Sequence, residues 1–243
     1  MFLLDTGEAL AFAKVKALKS DAIFKGKYLF HLHTVLTDGQ LSISDYLDFA
    51  MHNQVDRLIF LEHIRLDPTY SASDFAENVH SMGLSSGVEV VVGFEARVMP
   101  GGELDICDQS AALGSVIGIA EHRFELSENQ MVASLIKAFK SARKRFPAKE
   151  LVWVHPGLWR HKGKMKDVSE NAFMEIVNLA ISLDIKIEHN LRYRLFELEK
   201  WKALPVESRC IGADAHSFLD LENWKRRYMD FSTSRPLTLP DNS

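Results

Sequence analysis

Seven short runs of β-branched, aromatic and aliphatic residues recur along this chain with longer amphipathic stretches between them, a rhythm that points to repeated βα units. The runs fall at 28–33, 57–61, 89–98, 115–120, 151–155, 185–188 and 209–213. Each is short and apolar, as expected of a parallel strand buried on both faces. Between them, Ile43, Leu47, Ala50 and Met51 keep helical spacing after Ser42, which reads as an N-cap with Asp45 three residues on. Met131, Leu135 and Phe139 form a second stripe, ended by Pro147, and Phe173, Ile176, Val177 and Ala180 form a third. All three read as core-facing. Such units, joined by right-handed crossovers, predict either a TIM-like barrel or an open doubly wound sheet, and the pattern alone does not choose. Ala9, Phe12, Ala13, Lys16 and Ala17 predict a helical extension over 1–26, packed on a single domain over 27–243.

Composition narrows the function classes. Cys107 and Cys210 lie far apart without a CxxC spacing, which argues against a disulfide framework and a cysteine-zinc finger. The acidic start, Asp5 and Glu8, and the lack of a long apolar run predict a cytoplasmic protein with no membrane span. A formal charge of −4 offers no footprint for extended nucleic acid, although a local arginine cluster would suffice for a small anion. The oligomeric state is open.

The chain's ten histidines are distributed unevenly with respect to these runs. His31 and His33 end the first, His63 follows the second, His122 the fourth, His155 closes the fifth and His216 lies beyond the seventh. Acids stand at equivalent places: Asp38, Glu62, Glu95 and Asp214. Parallel βα units bring strand ends to one face, so these side chains are expected to meet. His31 and His33, alternating on a strand, should point to one side and grip one cation, and Asp214-x-His216 offers a second such pair. Imidazoles with carboxylates suit Zn, Mn or Fe, and more candidates than one tetrahedral ion needs predict several ions bridged by a carboxylate such as Glu95. His52, His80 and His161 fall away from strand ends and read as ordinary structural or exposed residues, whereas His189, beside Glu188, is ambiguous.

In order along the chain, His31-Leu32-His33-Thr34, Thr37-Asp38-Gly39, Glu62-His63, Gly93-Phe94-Glu95, His122, His155-Pro156-Gly157 and Asp214-Ala215-His216 resemble the motifs of the PHP (polymerase and histidinol phosphatase) family. Gly101-Gly102-Glu103-Leu104-Asp105 resembles its stand-alone phosphatase branch. The resemblance implies a distorted seven-stranded (β/α)7 TIM-like barrel holding two to three divalent ions. By position, His31, His33, Glu95 and Asp214 would hold one ion, Glu95, His122 and His155 a second, and Asp38, His63 and His216 a third. Leu29, Glu62 and Glu121 depart from the family pattern, and Glu121 reads as a solvent-facing acid.

The expected activity is hydrolysis of phosphate esters by water activated at the metal, most simply a phosphatase acting on small phosphorylated metabolites such as a histidinol phosphate-like compound or a nucleotide monoester. A nuclease acting on nucleic-acid ends and a noncatalytic metal-binding module are the alternatives. Asp214 and His216 are candidates for the acid that protonates the leaving group. Arg160, Arg192 and Arg194 follow strands on the same face and are candidates for binding phosphate, with Lys162 and Lys164 as weaker ones; Trp159 reads either as a platform for a ring of the substrate or as a cap on the barrel.

Overall fold

The structure, a computed structural model, describes residues 23–122, 127–159 and 170–232, without the side chains of 128 and 229–232. The expected extension over 1–26 therefore lies almost wholly outside the described residues, as do Arg160, His161, Lys162 and Lys164.

All seven predicted runs become strand units, and the pairings between strands among the described residues are parallel. The elements are β1 (Tyr28–Leu32), α1 (Ile43–Asn53), β2 (Arg57–Phe60), β3 (Glu62–Ile64), α2 (Ala72–Ser86), β4 (Glu89–Val91), β5 (Gly93–Arg97), α3 (Asp108–Leu113), β6 (Val116–Ala120) and α4 (Glu128–Arg145). They continue with β7 (Glu150–Val154), α5 (Glu170–Ser182), β8 (Ile185–Asn190), α6 (Leu198–Lys202), β9 (Arg209–Gly212) and α7 (Phe218–Ser232). Ser42 caps α1 as its spacing predicts: its hydroxyl accepts from Asp45 N at 3.2 Å while the Asp45 carboxylate accepts from Ser42 N at 2.7 Å. Such a cap contributes about 1 kcal/mol.

One run breaks, and another is followed by a strand that was not predicted. The third splits at Val92 into β4 and β5, while β3 begins just past the end of the second, beyond Leu61, and in both places the strand's partner changes. β1, β2 and β4 then form a three-stranded sheet, and β3, β5, β6, β7, β8 and β9 a six-stranded one. The expected α/β architecture of parallel strands is present, with its strands paired in these two sheets. β1 meets the chain beyond β9 through bonds from Ala213 N to Phe30 O (2.9 Å), Ala215 N to His31 O (2.9 Å) and His33 N to Ala215 O (3.1 Å), with an isolated bridge at Leu32 and Ala215.

Strand alternation sorts the apolar side chains into two clusters. Leu29, Leu58, Phe94, Ile117, Trp153 and Ile187 pack with Leu47, Phe75, Leu135, Phe139, Ile176 and Val177 of the helices, including the predicted stripes. The opposite faces contribute a smaller cluster of Tyr28, Phe30, Ile59, Leu61, Val91, Val116, Val152, Val154 and Cys210. Each large apolar side chain so buried contributes about 1.5–3 kcal/mol. Nearer the strand C-termini, that second face changes character and becomes ionisable.

Candidate metal centre

The local backbone at His31 decides how the first pair of imidazoles is presented. In the pairing of β1 with β2, Phe30 opposes Ile59 and Leu32 opposes Phe60, so His31 is an extra residue in a bulge, with φ of 71°. Phe30 and His31 therefore lie on the same side although they are adjacent, Leu32 points to the helices, and His33 returns to the inner side. Alternation across Leu32 brings the two imidazoles to one side, as their spacing predicts, with ring centroids 4.9 Å apart, and the bulge turns His31 to the side that Phe30 also faces. His155 and Asp214 also take positive φ, 35° and 50°, conformations that cost non-glycine residues about 1–3 kcal/mol each and that cluster at functional sites.

Glu95, on β5, is the hub. Its Oε2 lies 2.8 Å from His31 Nε2 and 3.4 Å from His33 Nε2, while its Oε1 lies 2.7 Å from His122 Nε2, 3.4 Å from His155 Nε2 and 3.5 Å from His63 Nδ1. Asp214 Oδ1 stands 3.7 Å from His33 Nε2 and 4.0 Å from His31 Nε2. On the outer side, Asp38 Oδ1 is 3.3 Å from both His63 Nε2 and His216 Nε2. Gly39 makes this turn possible, because a Cβ there would sit 2.2 Å from the His33 carbonyl oxygen.

Among the described residues three overlapping groups of ligand atoms result, with all atoms of a group within 4.8 Å of one another: His31, His33 and Glu95; His63, Glu95 and His122; and His33, Asp38, His63 and His216. Tetrahedral ions with metal–ligand bonds of 2.0–2.1 Å need ligand atoms roughly 3.3 Å apart, which many of these separations approach. The buried His33 Nδ1 and Nε2, His63 Nδ1 and His155 Nδ1 have no hydrogen-bond partner among the described residues. Such donors and acceptors gathered about carboxylates fit divalent cations.

Electrostatics set the charge of each group differently. Burial favours protonation of Glu95, but the positive field of His63 and bonds from His122, His155 and His31 outweigh it and hold the carboxyl well below its usual range. Bonds from His216 and His63 hold Asp38 low as well. Burial pushes His33 down to about 3, leaving its imidazole neutral, as a metal ligand must be. At His31 burial works in the same direction, yet Glu188 and Asp214 reverse it and raise the pKa well above the ordinary histidine value.

A second layer of buried acids holds these groups in place. Glu188, fully buried, accepts from His31 Nδ1 at 2.7 Å, His155 N at 2.5 Å and Asn190 Nδ2 at 3.0 Å. A Cβ on Gly212 would lie 1.5 Å from Glu188 Oε1, so only glycine leaves room for this carboxylate. Glu62 accepts from Thr34 N (2.9 Å), Thr34 Oγ1 (2.6 Å) and Thr37 Oγ1, fixing the turn that carries Asp38. Glu121 corrects the expectation of a solvent-facing acid: it is fully buried and accepts from Trp153 Nε1 at 2.7 Å and from Gly157 N. Sequence reasoning passed over Glu188; its place at a strand end beside a histidine was the available signal.

The remaining candidates separate. Arg192 reaches the centre, its Nη1 donating to His216 Nδ1 and lying 3.7 Å from Asp214 Oδ1. Arg194 instead lines a different hollow with His189, Phe196, Lys202 and Arg227, and its Nε donates to the Leu191 carbonyl at 3.4 Å. His189 packs its ring 5.2 Å from Trp201, away from the ligand groups. Trp159 is buried in the helix-facing cluster. His52 bonds the Asp48 carbonyl within α1, and His80 lies on α2.

No family model matches this sequence, and no curated protein matches it. Solved structures do. One is a two-domain protein from Bacteroides vulgatus containing a predicted PHP-like metal-dependent phosphoesterase, at 17% identity and a TM-score of 0.49; the match covers 82% of this chain and 55% of that one, so this chain spans little more than half its length. Another is amidohydrolase II, at 12% identity and a TM-score of 0.50, with 86% of this chain and 93% of that one covered. The second likeness shows an α/β fold in common. No helix among the described residues is long and apolar enough to cross a membrane.

Proposed function

We propose that this chain is a metal-dependent phosphoesterase, most simply a phosphatase acting on small phosphorylated metabolites, in a PHP-like domain whose strands follow a distorted seven-stranded barrel plan. One observation carries the reading: among the described residues, each of His33, His63 and Glu95 belongs to two of the three groups of ligand atoms, so cations held there would share ligands rather than stand isolated. Two to three divalent ions of Zn, Mn or Fe fit such a donor set. Bound there, they would supply Lewis-acid catalysis, neutralising phosphate oxygens and lowering the pKa of a water.

The chain's own residues do the rest. His31, His33, Glu95 and Asp214 form the buried floor; His122 and His155 form one wall; Asp38, His63 and His216 form the outer wall. Asp214 and His216, 3.4 Å apart, are the pair proposed to pass a proton to a departing alkoxide, with His216 the member able to carry it, since, against the effect of burial, the neighbouring imidazoles hold Asp214 as a carboxylate. Arg192, beside both, is the proposed contact for a phosphate oxygen. Arg160 keeps its proposed role from its position after His155-Pro156-Gly157 alone.

Turnover of an aryl phosphate, a nucleoside monophosphate and a single-stranded oligonucleotide by chelator-stripped protein, with and without added Mn or Zn, tests this reading. Metal-dependent release of phosphate from the monoesters, with the oligonucleotide intact, is the expected result. Shortening of the oligonucleotide without monoester turnover would assign a nuclease instead. No hydrolysis by fully loaded protein would leave a noncatalytic metal-binding module.

A further inference from the structure

Directly above the ligand groups lies a feature that none of the assigned roles uses. β3 pairs with β5 in the register Glu62 with Phe94, His63 with Glu95 and Ile64 with Ala96. Phe94, Ala96 and Ile64 pack against the helices, so His63 and Glu95 share the opposite face. Two residues further along each strand direction, alternation returns to that face at Arg65 and Arg97. The two guanidinium groups are thus neighbours, stacked one step above the His63–Glu95 pair.

Like charges side by side on adjacent strands repel, and here one acid is shared between them. Asp105 Oδ2 accepts from Arg97 Nη2 at 2.8 Å and lies 3.7 Å from Arg65 Nε, while its Oδ1 accepts from Leu66 N at 2.9 Å. The turn that carries Asp105 is fastened to β5 by a bond from Asp105 N to the Arg97 carbonyl at 2.9 Å. Two fixed cations therefore face one carboxylate, leaving a net positive charge. Both arginines remain 37% exposed, whereas Asp105 is buried; Arg65 Nη1 also donates to the Ile64 carbonyl at 2.6 Å, and the open part of Arg97 is the end of its guanidinium, its Nε being buried. Two partly open guanidiniums with donors to spare, locked by a buried acid at the edge of a metal cluster, make a seat for an oxyanion.

We infer that Arg65 and Arg97 are the anion clamp of this site: they grip the outer oxygens of a terminal phosphate whose inner side faces Glu95 and His63. The substrate class follows. A phosphomonoester dianion presents enough terminal oxygens for two arginines and the cluster together, whereas an internal diester does not. This rests on the phosphoesterase reading, but the clamp can be tested apart from it. Inorganic phosphate serves as the probe, with binding to metal-loaded protein followed by calorimetry, alongside kinetics on an aryl phosphate. Arg65→Gln and Arg97→Gln should each weaken phosphate binding about tenfold or more, in line with loss of a charged hydrogen bond, and should raise KM more than they lower kcat. Arg97→Lys, which keeps the charge and protects the fold but loses the fork, should fall between. Unchanged phosphate affinity in both glutamine variants, or no phosphate binding by the parent protein, overturns the clamp. Weakened phosphate binding in a protein that turns over no monoester keeps the clamp and removes the phosphatase.

Discussion

Glu95 and Asp38 are both carboxylates set among imidazoles, yet the side chain of Glu95 is 1% exposed and that of Asp38 is 57% exposed. The inner half of the centre, built on His31, His33 and Glu95, is dry and braced from behind by Glu188. The outer half, Asp38 with His63 and His216, hangs from a turn that Glu62 ties down through two threonines. The contrast teaches a division of labour. Buried charges persist only when paired and bonded, so the inner half must be preorganised, and an ion held there should bind tightly. The outer half can exchange water and ligand.

The largest effect should come from breaking the hub. Glu95→Ala removes the one carboxylate common to two of the ligand groups and should lower turnover by at least about a thousandfold, roughly 4 kcal/mol in barrier, with far-UV dichroism retained. Asp38→Ala, at the open side, should cost only about ten- to a hundredfold. Equal losses from the two variants would erase the distinction between the halves.

Removal of metal comes next. Chelation should lower the melting temperature, because ions bind only the folded site; at a free concentration a hundred times Kd they contribute about 2.7 kcal/mol, and a melting temperature indifferent to chelator and reloading would contradict this. Glu188→Gln should weaken binding of the tightest ion about ten- to a hundredfold while leaving the outer site nearly unchanged. Gly212→Ala, whose methyl would collide with the same carboxylate, should reproduce that loss without altering any ionisable group.

A smaller effect sharpens the comparison by using a buried histidine outside the centre. Burial lowers His189 to about 4, so it stays neutral in the folded chain between pH 6.5 and 4 while the unfolded chain takes up a proton. Stability should therefore fall as pH drops through that window, and His189→Gln should remove on the order of 2 kcal/mol of the fall, read from urea unfolding at pH 7 and pH 4.5. An identical pH dependence in parent and variant would rule this out. The smallest change belongs to His52→Ala, which should leave turnover within about twofold.

Local signals carried much of this architecture. The seven apolar runs, the Ser42 cap and the helical stripes through Leu135 and Ile176 depend on neighbours close in the chain, so their residue types suffice. So does the placement of histidines and acids at strand ends, which parallel pairing gathers on one face. What stayed hidden depends on partners distant in sequence. The added strand β3 beyond Leu61 and the break at Val92 arise where the chain exchanges one neighbouring strand for another, and the His31 bulge exists only against β2. Glu121 looks like a surface acid until Trp153 and the Gly157 amide close over it. Arg65 and Arg97 become a pair only through the β3–β5 register, and Arg194 leaves the site because the chain after β8 turns it toward α6 and α7.

The central claim is that these side chains hold bridged divalent ions, and counting them tests it most directly. Protein stripped with chelator, reloaded with Mn or Zn, desalted and measured by elemental mass spectrometry should carry two to three ions per chain, falling by at least one in Glu95→Ala. Fewer than one ion per chain in the parent protein, or the same count in both, would contradict the account.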